Sequence, residues 1–246
     1  FYEIAEKQYE AFDSEQYLTD KRFNMEKLKN ISCYTDFCKA DDITESWGNS
    51  LFGQKKVPMD RVKAWAKANN YTLPAFLMAV YAKTLSEMTG EKKVVFFTYY
   101  HGRSSKEIKK SLYGQLTFPM LLVFDIDQHE DIKSLIEKVK INLMDDLRHC
   151  ICPIYHTIRE LGIKDNYATD FLYNGPYMDF FACYEGNTAV WEWFDSGLSM
   201  SHLEFYIYQD DKRYIIDVTC SDALYTREQV DKFMNMYIDT VERIIS

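Results

Sequence analysis

His156 and Glu160 lie four residues apart in a segment with a helical pattern. That spacing places both side chains on one helix face, where a carboxylate can orient an imidazole for proton transfer. His101 ends an apolar run just before Gly102 and Arg103, so it is the most exposed candidate base among the five histidines. An ordinary helical side-chain pair is the commoner explanation for His156 and Glu160, and nothing else marks His101 as a base.

His149 is a further candidate because it precedes Cys150 at the junction of two predicted helices. There an imidazole can cap a helix end as readily as it can catalyse. An acidic cluster at the end of a predicted strand comprises Asp125, Asp127, Glu130 and Asp131. Its spacing is not that of a calcium loop, so we predict a solvated turn and the N-cap of the next helix.

The six cysteines have neither zinc-site spacing nor a C-x-x-C pair. Cys150 and Cys152 are separated by one residue and Cys33 and Cys38 by four, and neither pair has a second half. We therefore expect buried free thiols in a reducing cytosol, and no metal. The sequence also lacks a glycine-rich phosphate loop and a G-x-S-x-G nucleophile turn.

The formal net charge of -9 argues against nucleic-acid binding, which requires basic surfaces. No apolar run approaches the roughly 20 residues of a membrane helix. The first residues have no signal-peptide pattern and read like the interior of a helix. We therefore expect a cytoplasmic chain, cut from a longer protein, that contacts neither nucleic acid nor membrane.

The elements that must position these residues follow from the hydrophobic pattern. Residues 1–29 are predicted to form helices, with a start signal at Asp13 and Ser14, and residues 30–42 are predicted to be irregular. Further helices are predicted over residues 59–68, 73–90, 131–147, 153–161 and 226–245. Strands are predicted over residues 43–57, 93–100, 116–126, 170–174, 178–184, 189–194, 203–209 and 213–220.

Local signals refine this outline. The hydroxyls of Thr72 and Thr226 are predicted to cap the helices that follow them, and Gly90 to end the first of these. That first helix is apolar nearly all round, and the strand over 93–100 is apolar throughout, so both are predicted to be buried. A hairpin is predicted with Asp210 and Asp211 in its turn. The order of elements predicts one α/β domain in which helices pack on a mixed sheet.

Read together, five segments resemble the C-terminal half of the condensation domain of non-ribosomal peptide synthetases. Residues 71–103 resemble the family's helix, then "TG", then a strand ending in a glycine–arginine pair, here Gly102 and Arg103. Residues 112–126 resemble its next segment, with Gly114 at the family's glycine. Residues 148–163 resemble the H-Q-x-x-P-F segment, with His149 and Pro153 in place and Cys150 instead of glutamine. The other two segments are "FLYN" and residues 202–244, and the resemblance spans 60–246 and, more weakly, 1–29.

The resemblance implies a chloramphenicol acetyltransferase-like lobe, with residues 1–29 as a helical lead-in and 43–246 as the α/β lobe. In the family, a second lobe carries the catalytic motif H-H-x-x-x-D-G, and this sequence contains no such motif. The family joins acyl groups that carrier proteins present on phosphopantetheine arms in a tunnel between the lobes. The implied partners are the N-terminal lobe, carrier proteins and adjacent synthetase domains, and the chain alone is expected to be inactive.

The resemblance also gives roles to particular residues. Gly102, Arg103 and Ser104 would form tunnel wall or a structural turn, and a structural ion pair is favoured for Arg103. At Gly102 and Gly114, backbone freedom is the expected role. Phe118 stands where the family commonly has asparagine, which places a standard acceptor tunnel in doubt.

Two other functions are compatible with the sequence. The first is a non-catalytic module that docks a carrier protein or a synthetase domain. The second is a stand-alone small acyltransferase that uses His101 or His156 as its base.

Overall fold

The structure, a computed structural model, describes residues 6, 9–12, 14–38, 49–100, 117–127, 130–163, 169–173, 203–210 and 213–246. The helices of this part are α1 Glu15–Leu28, α2 Met59–Ala68, α3 Leu73–Thr89, α4 Ile132–Arg148, α5 Ile154–Leu161 and α6 Arg227–Ile245. The strands are β1 Ser50–Val57, β2 Lys93–Tyr100, β3 Phe118–Asp125, β4 Thr169–Tyr173, β5 Leu203–Asp210 and β6 Arg213–Ser221.

All these strands form one sheet in the order β1-β6-β5-β4-β2-β3. Strand β4 pairs in parallel with β2 and β5, whereas β1–β6, β5–β6 and β2–β3 are antiparallel. The sheet is therefore mixed, which confirms the predicted fold class.

Strand β2 is buried on both faces because its apolar residues are continuous. Val94 and Phe96 belong to the larger core cluster, whereas Val95 and Phe97 belong to a second cluster on the opposite face. The prediction that this strand is covered on both sides is confirmed.

The larger core is organised around α3, which is apolar on nearly every side. The ring of Tyr81 on this helix is fully buried and lies 4.9 Å from Phe96 and 5.0 Å from Phe205, between ring centroids. Helices α4 and α6 contribute residues to the same cluster, so they cover the same face of the sheet as α3. The predicted burial of this helix is thus confirmed.

The second core, on the opposite face, determines where the candidate site lies. Leu28 of α1 and Ile154 and Ile158 of α5 pack there with Phe97 of β2 and Leu121 of β3. The helices α1 and α5 are therefore fixed against the β2–β3 part of the sheet by apolar burial.

The predicted capping signals have mixed outcomes. Ser14 accepts a hydrogen bond from the backbone N–H of Tyr17, and Thr226 forms a complete capping box with Gln229, as expected for helix starts. Gly90 adopts the left-handed conformation with φ 78°, which confirms its role as helix end. Thr72 is the N-cap residue of α3 as predicted, but the prediction that its hydroxyl caps the helix is wrong, because its side chain makes no capping hydrogen bond.

Other boundaries shift slightly. The structure describes β1 only from Ser50, and most of the predicted irregular segment 30–42 has no regular structure where it is described. Asp210 pairs with Arg213 as the last residue of β5, so its predicted place in the hairpin turn is wrong. The predicted strands 178–184 and 189–194 lie outside the described residues.

The cysteine prediction is partly wrong. The described cysteines are all free, but Cys33 is exposed and Cys38 and Cys150 are only half-buried, whereas Cys152 and Cys220 are buried as expected. None of the described helices is both long and apolar enough to cross a membrane.

Candidate functional site

A cavity of about 50 Å³ lies where the start of β3 meets α1 and the α4–α5 junction. It is lined by Asn24, Phe118, Pro119, Met120, Leu121, Asp146, His149, Cys150, Cys152, Pro153 and Ile154. Phe118 and His149 are half-buried and Pro153 is exposed, so these residues form the rim, while Met120 and Ile154 are buried.

The cavity brings together three predicted site residues from two segments, Phe118 from residues 112–126 and His149 and Pro153 from residues 148–163. The other predicted residues, Gly102, Arg103, Ser104 and Gly114, lie outside the described part of the chain, as does His101.

His149 is fixed at the C-terminal end of α4. Its backbone N–H donates to the carbonyl of Asp146, and its ring Nδ1–H donates to the carbonyl of Asp145 at 2.8 Å. The ring stacks on Phe23 of α1, with centroids 4.0 Å apart. Because a carbonyl can only accept, Nδ1 carries a proton and is the donor. In the described residues, His149 therefore caps the C-terminal end of α4.

The turn between α4 and α5 is held by polar residues of α1. The backbone N–H of Ile151 donates to Asp20 Oδ2 at 2.9 Å, and Asn24 Nδ2 donates to the carbonyl of Cys152 at 3.5 Å. Asp20 and Asn24 are both buried, and the Asp20 carboxylate also accepts from Gln16. These contacts fix the backbone that carries Pro153, the N-cap of α5.

Lys27 and Asp146 form a buried ion pair beside the cavity. The Nζ–Oδ1 distance is 2.5 Å, and the side chains are 14% and 6% exposed. Burial raises the pKa of Asp146 and lowers the pKa of Lys27, in each case against the attraction of the partner charge. The second carboxylate oxygen, Oδ2, is buried and has no hydrogen-bond partner among the described residues.

The sequence reading missed Asp20, Asn24 and Lys27. Their spacing places them on one face of α1, but the helix carries many other polar residues, so this spacing alone does not identify them. Lys27 contacts Asp146 across 119 residues of sequence, a separation at which local pattern carries no information.

His156 and Glu160 do not act on each other. The Tyr17 hydroxyl and His156 Nδ1 are hydrogen-bonded at 2.9 Å, and Glu160 pairs with Lys21 at 2.6 Å. Both side chains thus connect α5 to α1, and the carboxylate that would orient a catalytic imidazole is engaged elsewhere.

The acidic cluster after β3 forms the predicted solvated turn. The Asp125 side chain is 82% exposed, and Glu130 pairs with Lys138 at 2.7 Å. Asp131 is the N-cap residue of α4, although its side chain makes no capping hydrogen bond. Within the described residues, no three histidine, cysteine, aspartate or glutamate side chains are placed to hold a metal ion.

The six described strands form a mixed sheet with helices on both faces, which is the chloramphenicol acetyltransferase-like fold predicted from the sequence. The family model for the condensation domain matches residues 1–246, so the chain belongs to the condensation domain family. Surfactin synthase subunit 1 of Bacillus subtilis (strain 168) is 23% identical over 192 residues, which is 74% of this chain and 5% of that protein. The family recognised from the five sequence segments is thereby confirmed.

Solved structures share this fold. The first condensation domain of the calcium-dependent antibiotic synthetase, in complex with a substrate analogue, matches with a TM-score of 0.78 at 15% identity and covers 99% of this chain. The cyclization–docking bidomain of EpoB from Sorangium cellulosum matches with the same TM-score of 0.78 at 14% identity and covers 97% of this chain. The match spans 53% of the first structure and 50% of the second, so this chain corresponds to about half of each.

Proposed function

We propose that this chain is the C-terminal half of a condensing unit that joins carrier-bound acyl or aminoacyl thioesters into an amide or ester bond. The proposal rests on how much of each chain the structural alignment covers. Nearly the whole chain, 99%, aligns with a solved condensation domain, yet only 53% of that domain is matched. The sequence contains no H-H-x-x-x-D-G motif, so the catalytic histidine would lie in the half that is not matched.

The two described histidines, His149 and His156, support a catalytic histidine in the other half. Attack of an amine on a thioester requires a base that takes the amine proton while the thiol leaves. The protonated Nδ1 of His149 caps α4, and His156 is hydrogen-bonded to Tyr17 without a carboxylate to orient it. Neither arrangement resembles a base poised beside a substrate, so this chain would position substrates.

The substrates would arrive on phosphopantetheine arms of carrier proteins, and adjacent synthetase domains would be further partners. In this proposal Phe118, His149 and Pro153 form part of the wall along which a substrate passes. Gly102, Arg103, Ser104 and Gly114 are assigned to tunnel wall or a structural turn, with Arg103 in an ion pair. A cytoplasmic location remains a prediction.

The test is a condensation assay with donor and acceptor carrier proteins, each loaded with its thioester, followed by mass spectrometry of the product. We expect no amide or ester product from this chain alone, and product from an intact condensation domain run in parallel as the positive control. Adding a separate polypeptide that carries the H-H-x-x-x-D-G half should restore product formation.

Sustained turnover by the chain alone would contradict the proposal and favour a stand-alone acyltransferase. Loss of that turnover in His101→Ala or in His156→Ala would then identify the base. Tight carrier-protein binding, with no product even after the other half is added, would favour a docking module instead.

A further inference from the structure

Two thiols line the cavity between α1, β3 and the α4–α5 junction. Cys150 is half-buried, as are Phe118 and His149 at the rim, whereas Cys152 is buried. A solute at the rim therefore contacts Cys150 more readily than Cys152, so Cys150 is the cavity thiol that can react.

The carboxylate of Asp20 lies on the backbone between these two thiols. Ile151, the residue that separates them, donates its backbone N–H to Asp20 Oδ2 at 2.9 Å. The other oxygen, Oδ1, accepts from the side-chain amide of Gln16 at 2.7 Å. Asp20 is fully buried, and it forms no ion pair among the described residues.

Holding the turn does not by itself explain the charge of Asp20. Burying a carboxylate without a cation is costly, and a neutral amide oxygen would accept the Ile151 N–H at lower cost. The other charged side chains near the turn are balanced in ion pairs, namely Lys27–Asp146, Lys21–Glu160 and Arg148–Asp145. The remaining titratable groups there are the ring of His149, which donates to a backbone carbonyl, and the buried Cys152 thiol. Burial raises the pKa of the Cys150 thiol, and the uncompensated charge of Asp20 raises it further.

Thioester substrates would make this charge useful. A cysteine that releases its proton to solvent can attack the carbonyl carbon of a thioester with its thiolate. The bond to the leaving sulfur then breaks, the leaving thiolate takes a proton from solvent, and the acyl group remains on the cysteine as a new thioester. Because the thiolate is the nucleophile, a cysteine that keeps its proton exchanges slowly.

We propose that Asp20 is a protective residue, whose buried carboxylate on the turn at 150–152 keeps Cys150 from taking acyl groups off thioester substrates. Asp20 acts through Cys150 and touches no substrate itself. This role rests on the proposed function for the identity of the substrates. It goes beyond that function because it concerns a side reaction that the chain must suppress.

The experiment measures acyl transfer to individual cysteines of the 246-residue chain. The probe is the acetyl thioester of N-acetylcysteamine, and tandem mass spectrometry of peptides quantifies the acetylation of each cysteine at several pH values. In the wild type, exposed Cys33 should be acetylated near neutral pH and Cys150 only at higher pH. Asp20→Asn should accelerate the acetylation of Cys150 near neutral pH at least about threefold and leave Cys33 unchanged.

The variant and its control differ in one charge each. Asp20→Asn is nearly isosteric, and Gln16 can rotate its amide to keep a hydrogen bond to the new side chain. The matched control, Glu160→Gln, removes a carboxylate from the α1–α5 contact without facing Cys150, so it should leave the acetylation of Cys150 unchanged.

The pH dependence separates the loss of a charge from a loosened turn. Loss of the Asp20 charge should move the pH–rate profile of Cys150 to lower pH. A loosened turn would instead raise the rate by the same factor at every pH and would also expose buried Cys152 to the probe. That second pattern would overturn the proposal.

The probe needs neither a partner half nor a carrier protein, so this test is independent of the condensation assay. Unchanged acetylation of Cys150 in Asp20→Asn, or equal acceleration in Glu160→Gln, would overturn the protective role. A wild-type Cys150 that reacts as fast as Cys33 near neutral pH would do the same without any variant. An inactive reassembled enzyme would overturn the proposed function alone.

Discussion

The hydroxyl of Tyr17 and Nδ1 of His156 are joined by a 2.9 Å hydrogen bond although 139 residues separate them in sequence. The ring of Phe12 approaches His156 edge-on, with centroids 5.3 Å apart. These contacts make His156 part of the packing between α1 and α5. His156, one of the candidate bases in the sequence, thus has a structural environment.

Replacing Tyr17 with phenylalanine should lower the free energy of unfolding by about 1 kcal/mol, because the His156 ring loses a partly buried hydrogen bond while the ring packing remains. Urea denaturation followed by circular dichroism measures this directly. In the reassembled enzyme, Tyr17→Phe should leave product formation unchanged at a temperature where both proteins are folded. A large loss of turnover without a loss of stability would indicate a catalytic part for this pair.

The two predicted threonine caps allow a matched comparison. Thr226 Oγ1 accepts from the backbone N–H of Gln229, and Gln229 Oε1 accepts from the backbone N–H of Thr226. Thr226→Ala should therefore cost about 1 kcal/mol of stability. Thr72→Ala should cost much less, because the Thr72 side chain makes no capping hydrogen bond. Equal destabilisation by both substitutions in thermal unfolding would argue against this distinction.

This pair also shows what the sequence can and cannot reveal about the fold. Both threonines precede amphipathic or apolar helices, and the sequence predicts the N-cap position correctly in each case. Whether the threonine hydroxyl forms the capping hydrogen bond depends on its rotamer and on the side chains that pack against the first turn. Thr226 differs from Thr72 because a glutamine follows it three residues later and completes a capping box. Strand β2 coincides with the predicted range 93–100 because its apolar run is continuous and sharply bounded.

The candidate site was predictable only in part, for a related reason. Phe118, His149 and Pro153 were identified by resemblance to a family, and the fold brings them to one cavity. Asn24 and Lys27 were missed because they lie among other polar residues of α1, and only the tertiary packing of α1 on the α4–α5 junction separates them from solvent. Burial of a polar side chain is a long-range property, and local hydrophobic pattern does not encode it.

Removing one partner of the buried Lys27–Asp146 ion pair should destabilise the chain more than removing both partners. Asp146→Leu alone leaves the buried ammonium of Lys27 without its partner and should cost about 3–5 kcal/mol. Adding Lys27→Met should recover part of that loss, because neither remaining side chain carries a charge that must be desolvated. Guanidinium denaturation of the wild type, each single variant and the double variant measures the coupling. Additive losses would mean that the two side chains do not interact.

Cys33 and Cys220 should differ sharply in reactivity towards an alkylating reagent. Cys33 is exposed, whereas Cys220 on β6 is buried, and burial raises the pKa of the Cys220 thiol to about 12. Because the thiolate is the nucleophile, iodoacetamide at mildly alkaline pH should label Cys33 within minutes and Cys220 only after unfolding in urea. Peptide mass spectrometry reads the two sites separately.

The same burial predicts how stability depends on pH. The thiol keeps its proton in the folded chain up to about pH 12, whereas the unfolded chain releases it near the ordinary value of 9.0. The folded state therefore binds more protons between these values, so the free energy of unfolding should fall as pH rises through that window. Cys220→Ser removes the titrating group, so the wild type should lose stability relative to this variant between about pH 9 and pH 12. Parallel pH profiles for the two proteins would show that Cys220 is not protonated differently in the folded and unfolded states.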